Sequence, residues 1–406
     1  MPNNQLDSKS FRSKFGLITL VLILGALVLL LTCLLLLPNS AQSPITEGEA
    51  VEYRMDNNGV MPLPALQLPL SGALSAKSKT EFLLAKQHET ERKSEYKKQC
   101  GKDIFEASIE ELPSLRDCRA QVFYNSSWYR DMQQRYAVDI KLENYDGVET
   151  EVFTPLDGIL PNNRDKVLIN LHFGGFAYHA KQESRLESMP IAALMRIKVV
   201  SPDYRMYPEH RYPSAVSDVL SVYRTLLKTY RPENIGIYGC SAGGNLTART
   251  IPWLLKEELP LPAAVAMLGG AADVAMGDSH SFGFAASGIE VPDIDIYNKG
   301  LERPSGYYEG VDNLFNPLVF PARSPETMKA FPPSLLISST RDYLLSHVLF
   351  THSQLVKQGV EADLHVWEGL EHCFTGHGNI PESRDAYGVL IGFFNKHLGR
   401  SAVSDL

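Results

Sequence analysis

Ten residues constrain the fold of this chain more than any others: Ile235-Gly236-Ile237-Tyr238-Gly239-Cys240-Ser241-Ala242-Gly243-Gly244. An apolar run with β character enters Gly-x-Ser-x-Gly, and Asn245 to Leu255 continues with helical character. The order is strand, sharp turn, helix. A serine hydroxyl is a poor nucleophile and must be lifted clear of a sheet on a strained turn, with small residues where strand and helix backbones crowd together. Gly239 and Gly243 supply that clearance, which makes Ser241 the candidate nucleophile. The turn also leaves the Ala242 amide at a helix N-terminus, where an N–H can meet an oxyanion. A five-residue match alone would equally suit a glycine-rich turn without chemistry.

The flanking segments narrow the choice. Val138 to Leu142 and Thr150 to Thr154 pattern as paired strands around the turn Asp146-Gly147. Lys166 to Leu171 is an apolar run of the kind buried on both faces of a sheet, and it ends in His172-Phe173-Gly174-Gly175-Phe176. Glycines just past a central strand let backbone N–H groups point outward, so Gly174 and Gly175 join Ala242 as candidate oxyanion donors. Strands are also expected at Ile197–Val200, Ala263–Leu268, Ser334–Ser338 and Ala362–Trp367, with helices between most of them. Asp342 follows the third of these and His372 the fourth. An acid and an imidazole therefore fall past the carboxyl ends of successive strands, on the edge where Ser241 falls. The charged residues of the loop Asp203 to Pro213 are expected to brace that loop, and His210 is set aside as a base for that reason. His347 and His352 on a helix, His365 within a strand and His377 farther from a strand end are weaker candidates than His372.

The chain order Ser, Asp, His is that of the α/β-hydrolase triad. From about Val138 to His397 the chain resembles the hormone-sensitive-lipase branch of that fold. That family's His-Gly-Gly-Gly motif is matched by His172, Gly174 and Gly175, with Phe173 replacing the first glycine. Its Gly-Asp-Ser-Ala-Gly-Gly elbow runs from Gly239 to Gly244, with Cys240 in place of Asp. Its Asp-Tyr-Arg-Leu-Ala-Pro-Glu-His stretch is matched from Asp203 to His210, with Met206 and Tyr207 varying, and its Asp-x-Leu and His-x-Phe blocks fall on Asp342 and His372. The resemblance implies a mostly parallel eight-stranded sheet flanked by helices, a Ser241-Asp342-His372 triad, and hydrolysis of small-molecule carboxylic esters of short or medium acyl length, or lactones, without metal or cofactor. Amide-cleaving deacetylases, and binding modules of this fold that have lost a triad member, are the alternatives. Phe173 leaves both glycine donors intact but puts a bulky ring near the acyl pocket or into the packing of the loop.

A tail (residues 1–14) precedes an uncharged run from Phe15 to Leu37, long enough at about 1.5 Å per residue to span a hydrocarbon core. Lys9, Arg12 and Lys14 precede that run and Glu47 and Glu49 follow it. A single-pass anchor is expected, with the tail in the cytoplasm and the large domain on the other side; a cleaved signal with Asn39-Ser40-Ala41 near its end, giving a secreted form, is the alternative. Residues 38–70 read as a linker, 71–135 as lid helices and 136–400 as the catalytic domain, with a cap insertion at 271–321. Phe282, Phe284, Tyr307 and Tyr308 in that insertion are candidate pocket-wall or core residues. In an oxidising compartment Cys100 and Cys118 become candidates for a disulfide, while Cys240 and Cys373 are expected to remain small buried thiols. A net charge of −8 and the lack of a basic stripe argue against a nucleic-acid partner, and no cysteine spacing suits zinc. Oligomeric state is not legible.

Overall fold

The computed structural model describes residues 67–102, 107–178, 181–273, 278–286, 306–311, 313 and 316–399. The expected tail, anchor and most of the linker lie outside these residues, as does most of the 271–321 insertion. Eight strands form one sheet: β1 (Val138–Tyr145), β2 (Val148–Pro155), β3 (Val167–Leu171), β4 (Lys198–Pro202), β5 (Ile235–Cys240), β6 (Ala264–Leu268), β7 (Ser334–Arg341) and β8 (Ala362–Glu371). Ten α-helices are described: α1 (Ala76–Cys100), α2 (Leu112–Tyr124), α3 (Ser127–Arg135), α4 (Lys181–Met195), α5 (Ser214–Leu227), α6 (Ala242–Lys256), α7 (Asp278–Ala286), α8 (Pro325–Lys329), α9 (Leu345–Lys357) and α10 (Pro381–His397).

The strand order is β1-β2-β4-β3-β5-β6-β7-β8. The first two strands form the expected hairpin: Asp146 and Gly147 both have positive φ, the requirement of a two-residue turn whose twist matches its strands. β2 runs antiparallel to β4, and every later pairing is parallel. All residues of β3, β5 and β6 are buried, which is why these segments are apolar throughout instead of alternating. The chain leaves β3 first for β4 on one side and then crosses to β5 on the other. A crevice opens at such a reversal, outside the carboxyl ends of the strands. The loops after β3 and β5 face each other there.

Helices α1 to α3 are tied to this sheet by long-range polar contacts. Nη2 of Arg116 in α2 donates to both carboxylate oxygens of Glu209 in the loop after β4, at 2.6 and 2.5 Å. The Arg185 guanidinium of α4 lies 4.0 Å over the Tyr124 ring and 2.7 Å from Glu151. A disulfide joins Cys100 to Cys118, as expected of that pair.

Two expectations are corrected. Among the described residues no helix is long and apolar enough to cross a membrane. The longest, α1, carries charges along its whole length, and charged side chains are costly in hydrocarbon. Residues 15–37, on which the anchored or secreted reading rested, lie outside the described residues; the single-pass, extracytoplasmic placement and the membrane as a partner are withdrawn. The second correction is to Cys240 and Cys373, which form a disulfide. They are 133 residues apart, and the fold brings their Cα atoms to 6.0 Å.

Candidate active site

The serine turn is built by steric exclusion. A Cβ on Gly243 would lie 1.7 Å from the Leu171 carbonyl oxygen, and one on Gly239 would lie 2.1 Å from the same atom. These contacts press the start of α6 against the end of β3. Ser241, between β5 and α6, has φ 54° and ψ −120°, a conformation that L-residues rarely adopt and that commonly marks functional sites. Its N–H donates to the Leu268 carbonyl at 2.8 Å, which ties the turn to the end of β6.

The loop after β3 is held from both sides. His172 is buried, its Nδ1 lies 2.9 Å from the Phe173 carbonyl oxygen, and its ring stacks on Tyr204 with centroids 4.1 Å apart. The Tyr204 hydroxyl donates to the His172 carbonyl at 2.7 Å, and the Tyr207 N–H to the Phe176 carbonyl at 2.8 Å. The Asp203 to Pro213 loop thus braces this one, and its own Arg205 is fixed to Asp218 at 2.7 Å, a charged residue steadying its loop as expected. Gly174 and Gly175 have φ 123° and 59°. Their amides and that of Ala242 donate to no backbone carbonyl among the described residues. The Phe173 ring lies 3.8 Å from where a Gly376 Cβ would sit, so the departure from the family motif fills space between the glycine loop and the turn after His372.

Asp342 and His372 meet past the ends of β7 and β8. The imidazole Nδ1–H donates to Asp342 Oδ1 at 2.7 Å. Asp342 Oδ1 also accepts from the Leu344 N–H, and Oδ2 from the Ser338 hydroxyl, each at 2.8 Å. Burial pushes the Asp342 carboxyl up, but the charge and hydrogen bond of His372, with the Leu344 and Ser338 donors, hold it below the ordinary carboxylate range. The Tyr343 ring tilts against the imidazole, centroids 4.2 Å apart, and Phe284 of α7 packs against Tyr343 at 4.9 Å.

Residues absent from the sequence-derived site connect the two halves. Gly269, at φ 50°, has room for no side chain: a Cβ there would lie 2.9 Å from Asp342 Oδ2 and 3.2 Å from His372 Nδ1. A Cβ on the next residue, Gly270, would lie 2.4 Å from the Ser241 carbonyl oxygen. The acid and imidazole therefore pack on one glycine and the serine turn on its neighbour. The signal was a Gly-Gly directly after a buried strand. On the other side the Cys373 sulfur lies 3.7 Å from His372 Nε2. Below the serine, Glu187 of α4 accepts the Cys240 N–H at 2.8 Å. Burial without a neighbouring cation pushes its carboxyl well above the ordinary range, against weaker downward pulls from hydrogen bonds with Asn170, Cys240 and Phe173.

The competing residues go elsewhere. His210 and His365 are exposed, His347 is buried, and His352 lies 3.2 Å from the Ala362 carbonyl oxygen. Of the four candidate wall aromatics, Phe282 is exposed and Phe284 reaches the site through Tyr343. Tyr307 and Tyr308 instead join a buried cluster with Phe176 and Phe320 around Arg249, whose guanidinium carbon lies 5.0 Å from the Tyr308 ring centre.

An eight-stranded, mostly parallel sheet with a serine elbow after its fifth strand and an acid–imidazole pair past its last two defines the class of the α/β hydrolases. A family model for the alpha/beta hydrolase fold matches residues 168–376, and the chain belongs to that family. It is 27% identical over 245 residues to an acetyl-hydrolase of Streptomyces hygroscopicus, across 59% of this chain and 79% of the relative. The crystal structure of an esterase superimposes with a TM-score of 0.66 at 27% identity, over 83% of this chain and 98% of the other. A structure of an esterase from the bacterial hormone-sensitive lipase family does so with a TM-score of 0.61 at 25% identity, over 73% of this chain and 95% of that one. The protein is a carboxylic ester hydrolase acting on a small-molecule ester.

Proposed function

We propose that Ser241 cleaves short-acyl carboxylic esters through an acyl-enzyme, with His372 as general base and then acid and Asp342 as the carboxylate that orients it. The observation that carries this reading is the junction at Gly269-Gly270, where the Asp342–His372 pair and the Ser241 turn pack on adjacent residues. With Nδ1–H committed to Asp342, the proton acceptor is Nε2. It takes the Ser241 proton as the oxygen attacks the ester carbonyl, and Asp342 stabilises the cation that results. The negative oxygen of the tetrahedral intermediate is received by the amides of Gly174, Gly175 and Ala242. The alcohol leaves with the proton from His372, and a water deprotonated by the same imidazole releases the acid.

Relatives described as acetyl-hydrolase and acetyl esterase support a short acyl group. The Phe173 ring between the glycine loop and the Gly376 turn is in keeping with it, because it occupies volume beside the site. Residues 71–135 act as a lid in this reading, anchored through Arg116 to Glu209. Ser241→Ala is expected to reduce kcat on p-nitrophenyl acetate by about 10⁶-fold and to abolish labelling by a fluorophosphonate. Wild-type-like turnover in that variant would exclude the serine. A panel of acyl lengths, lactones and matched anilides reads the substrate preference, and preference for long acyl chains or anilides would overturn the short-ester assignment.

A further inference from the structure

We propose that the Cys240–Cys373 disulfide is a positioning device for ester cleavage, clamping the His372 imidazole to the serine turn so that opening the bridge lowers turnover and leaves substrate binding in place. The inference rests on the triad reading above and deepens it. Each sulfur belongs to the neighbour of a site residue: Cys240 precedes Ser241, and Cys373 follows His372. The sheet does not otherwise join these two places. β5 and β8 are separated by β6 and β7, and at about 4.8 Å per strand the ladder alone would leave their ends about 14 Å apart. The loop after β8 instead turns back over the sheet until the two cysteine Cα atoms are 6.0 Å apart.

The bridge has one rigid end and one that needs holding. Cys240 is buried in the last position of a central strand, with its N–H on Glu187. Cys373 sits in the left-handed region at φ 51° and ψ 37°, which is disfavoured for a residue with a Cβ and persists only when its surroundings impose it. Its sulfur also touches His372 Nε2, the nitrogen that must meet the Ser241 hydroxyl, at 3.7 Å. Asp342 fixes the other nitrogen through one hydrogen bond, and Tyr343 packs against the ring. The bridge adds a restraint on the Nε2 side. The departure from the family elbow at Cys240 thereby finds its partner: the two cysteines work as a pair across the site.

The test uses the full chain carrying Cys100→Ser and Cys118→Ser, so that only the bridge of interest remains. Dithiothreitol opens it by thiol–disulfide exchange: the S–S bond breaks, two electrons and two protons pass to the two sulfurs, and the reagent is left as its own cyclic disulfide. Kinetics on p-nitrophenyl acetate, fluorophosphonate labelling and circular dichroism are measured before reduction, after it, and after reoxidation. A Cys240→Ala/Cys373→Ala variant is measured alongside. We expect kcat to fall by about 10- to 100-fold, the scale of a small misplacement of a reacting group, with KM within about twofold, native circular dichroism and recovery on reoxidation. Unchanged kcat in a folded, reduced chain overturns the proposal, as does loss of activity only through unfolding, which makes the bridge a structural staple. Should the alanine variant not fold, the reduction experiment decides. An oxidised chain that neither turns over ester nor labels at Ser241 removes the triad reading and this inference together. Normal turnover before and after reduction removes this inference alone.

Discussion

Two carboxyl groups are buried beside Ser241, one at the rim of the sheet and one beneath it, and their acidities move in opposite directions. Asp342, past β7, is held as a carboxylate by His372, the Leu344 N–H and Ser338. Glu187, on α4 under the serine turn, has amide donors but no cation, and burial raises it well above the ordinary range. Burial in both regions thus goes with a lowered carboxyl pKa at the rim and a raised one beneath the serine turn. What decides is whether an opposite charge within hydrogen-bonding distance offsets the lost hydration. In the proposed mechanism the rim stabilises a developing imidazolium, while the floor holds the Cys240 backbone in place.

The comparison can be broken at either end. Asp342→Asn should have the largest effect, a fall in kcat on the order of 10⁴-fold because the imidazole loses its orienting acceptor; steady-state kinetics with retained circular dichroism would check it. A loss of less than tenfold would mean that the rim carboxylate does no electrostatic work. Glu187→Ala should destabilise the chain by about 3 kcal/mol, by leaving a void and the Cys240 N–H without its acceptor, measured by urea unfolding. Ser338→Ala removes one of the donors to the Asp342 carboxylate and should cost about 2 kcal/mol. It should also raise the pH at which acid unfolding begins. Asp342 has a folded pKa below its unfolded one, so its stabilisation is present above the unfolded value of about 4 and is lost as pH falls through the folded value.

Glu187→Gln gives the most diagnostic effect, read in the pH dependence of stability. A carboxyl raised in the folded state keeps its proton where the unfolded chain has released it. Stability of the wild type therefore falls with rising pH above about 4.3, by up to about 1.4 kcal/mol per unit, until the folded carboxyl ionises. Glutamine keeps a carbonyl acceptor for Cys240 and cannot ionise, so the variant should gain on the wild type as pH rises from 5 to 8 while kcat stays within a few-fold. Parallel stability curves would show that Glu187 is ionised in the folded protein and sink the contrast with Asp342.

Much of this architecture was legible in the residues, for reasons that differ from place to place. The hairpin at Asp146-Gly147 and the serine turn depend on contacts or backbone angles within a few residues, so local composition announces them. His372 stood out from five competing histidines because it comes just past a strand end, whereas the others lie on a helix, within a strand, in a bracing loop or farther along the chain. Glu187 was invisible: a helical glutamate has no local sign that it will be carried under a turn 53 residues later. The partnership of Cys240 and Cys373 was missed because their neighbours mark them only as small residues beside site residues. The fate of Tyr307 and Tyr308 turned on Arg249, which lies far from them in the chain.

The amino-acid order by itself determined the kinds of local element and nominated the three side chains proposed to react. Glycine placement, apolar runs and turn chemistry act over distances that one segment contains. The folded molecule decided which strand ends became neighbours: β3 beside β5 at the reversal of the sheet, Gly269-Gly270 wedged between acid and serine, and a sulfur bridge across two intervening strands. Those outcomes depend on long-range pairing and on the burial of both faces of a parallel sheet, whose free energy belongs to the whole sheet and to no single stretch of it.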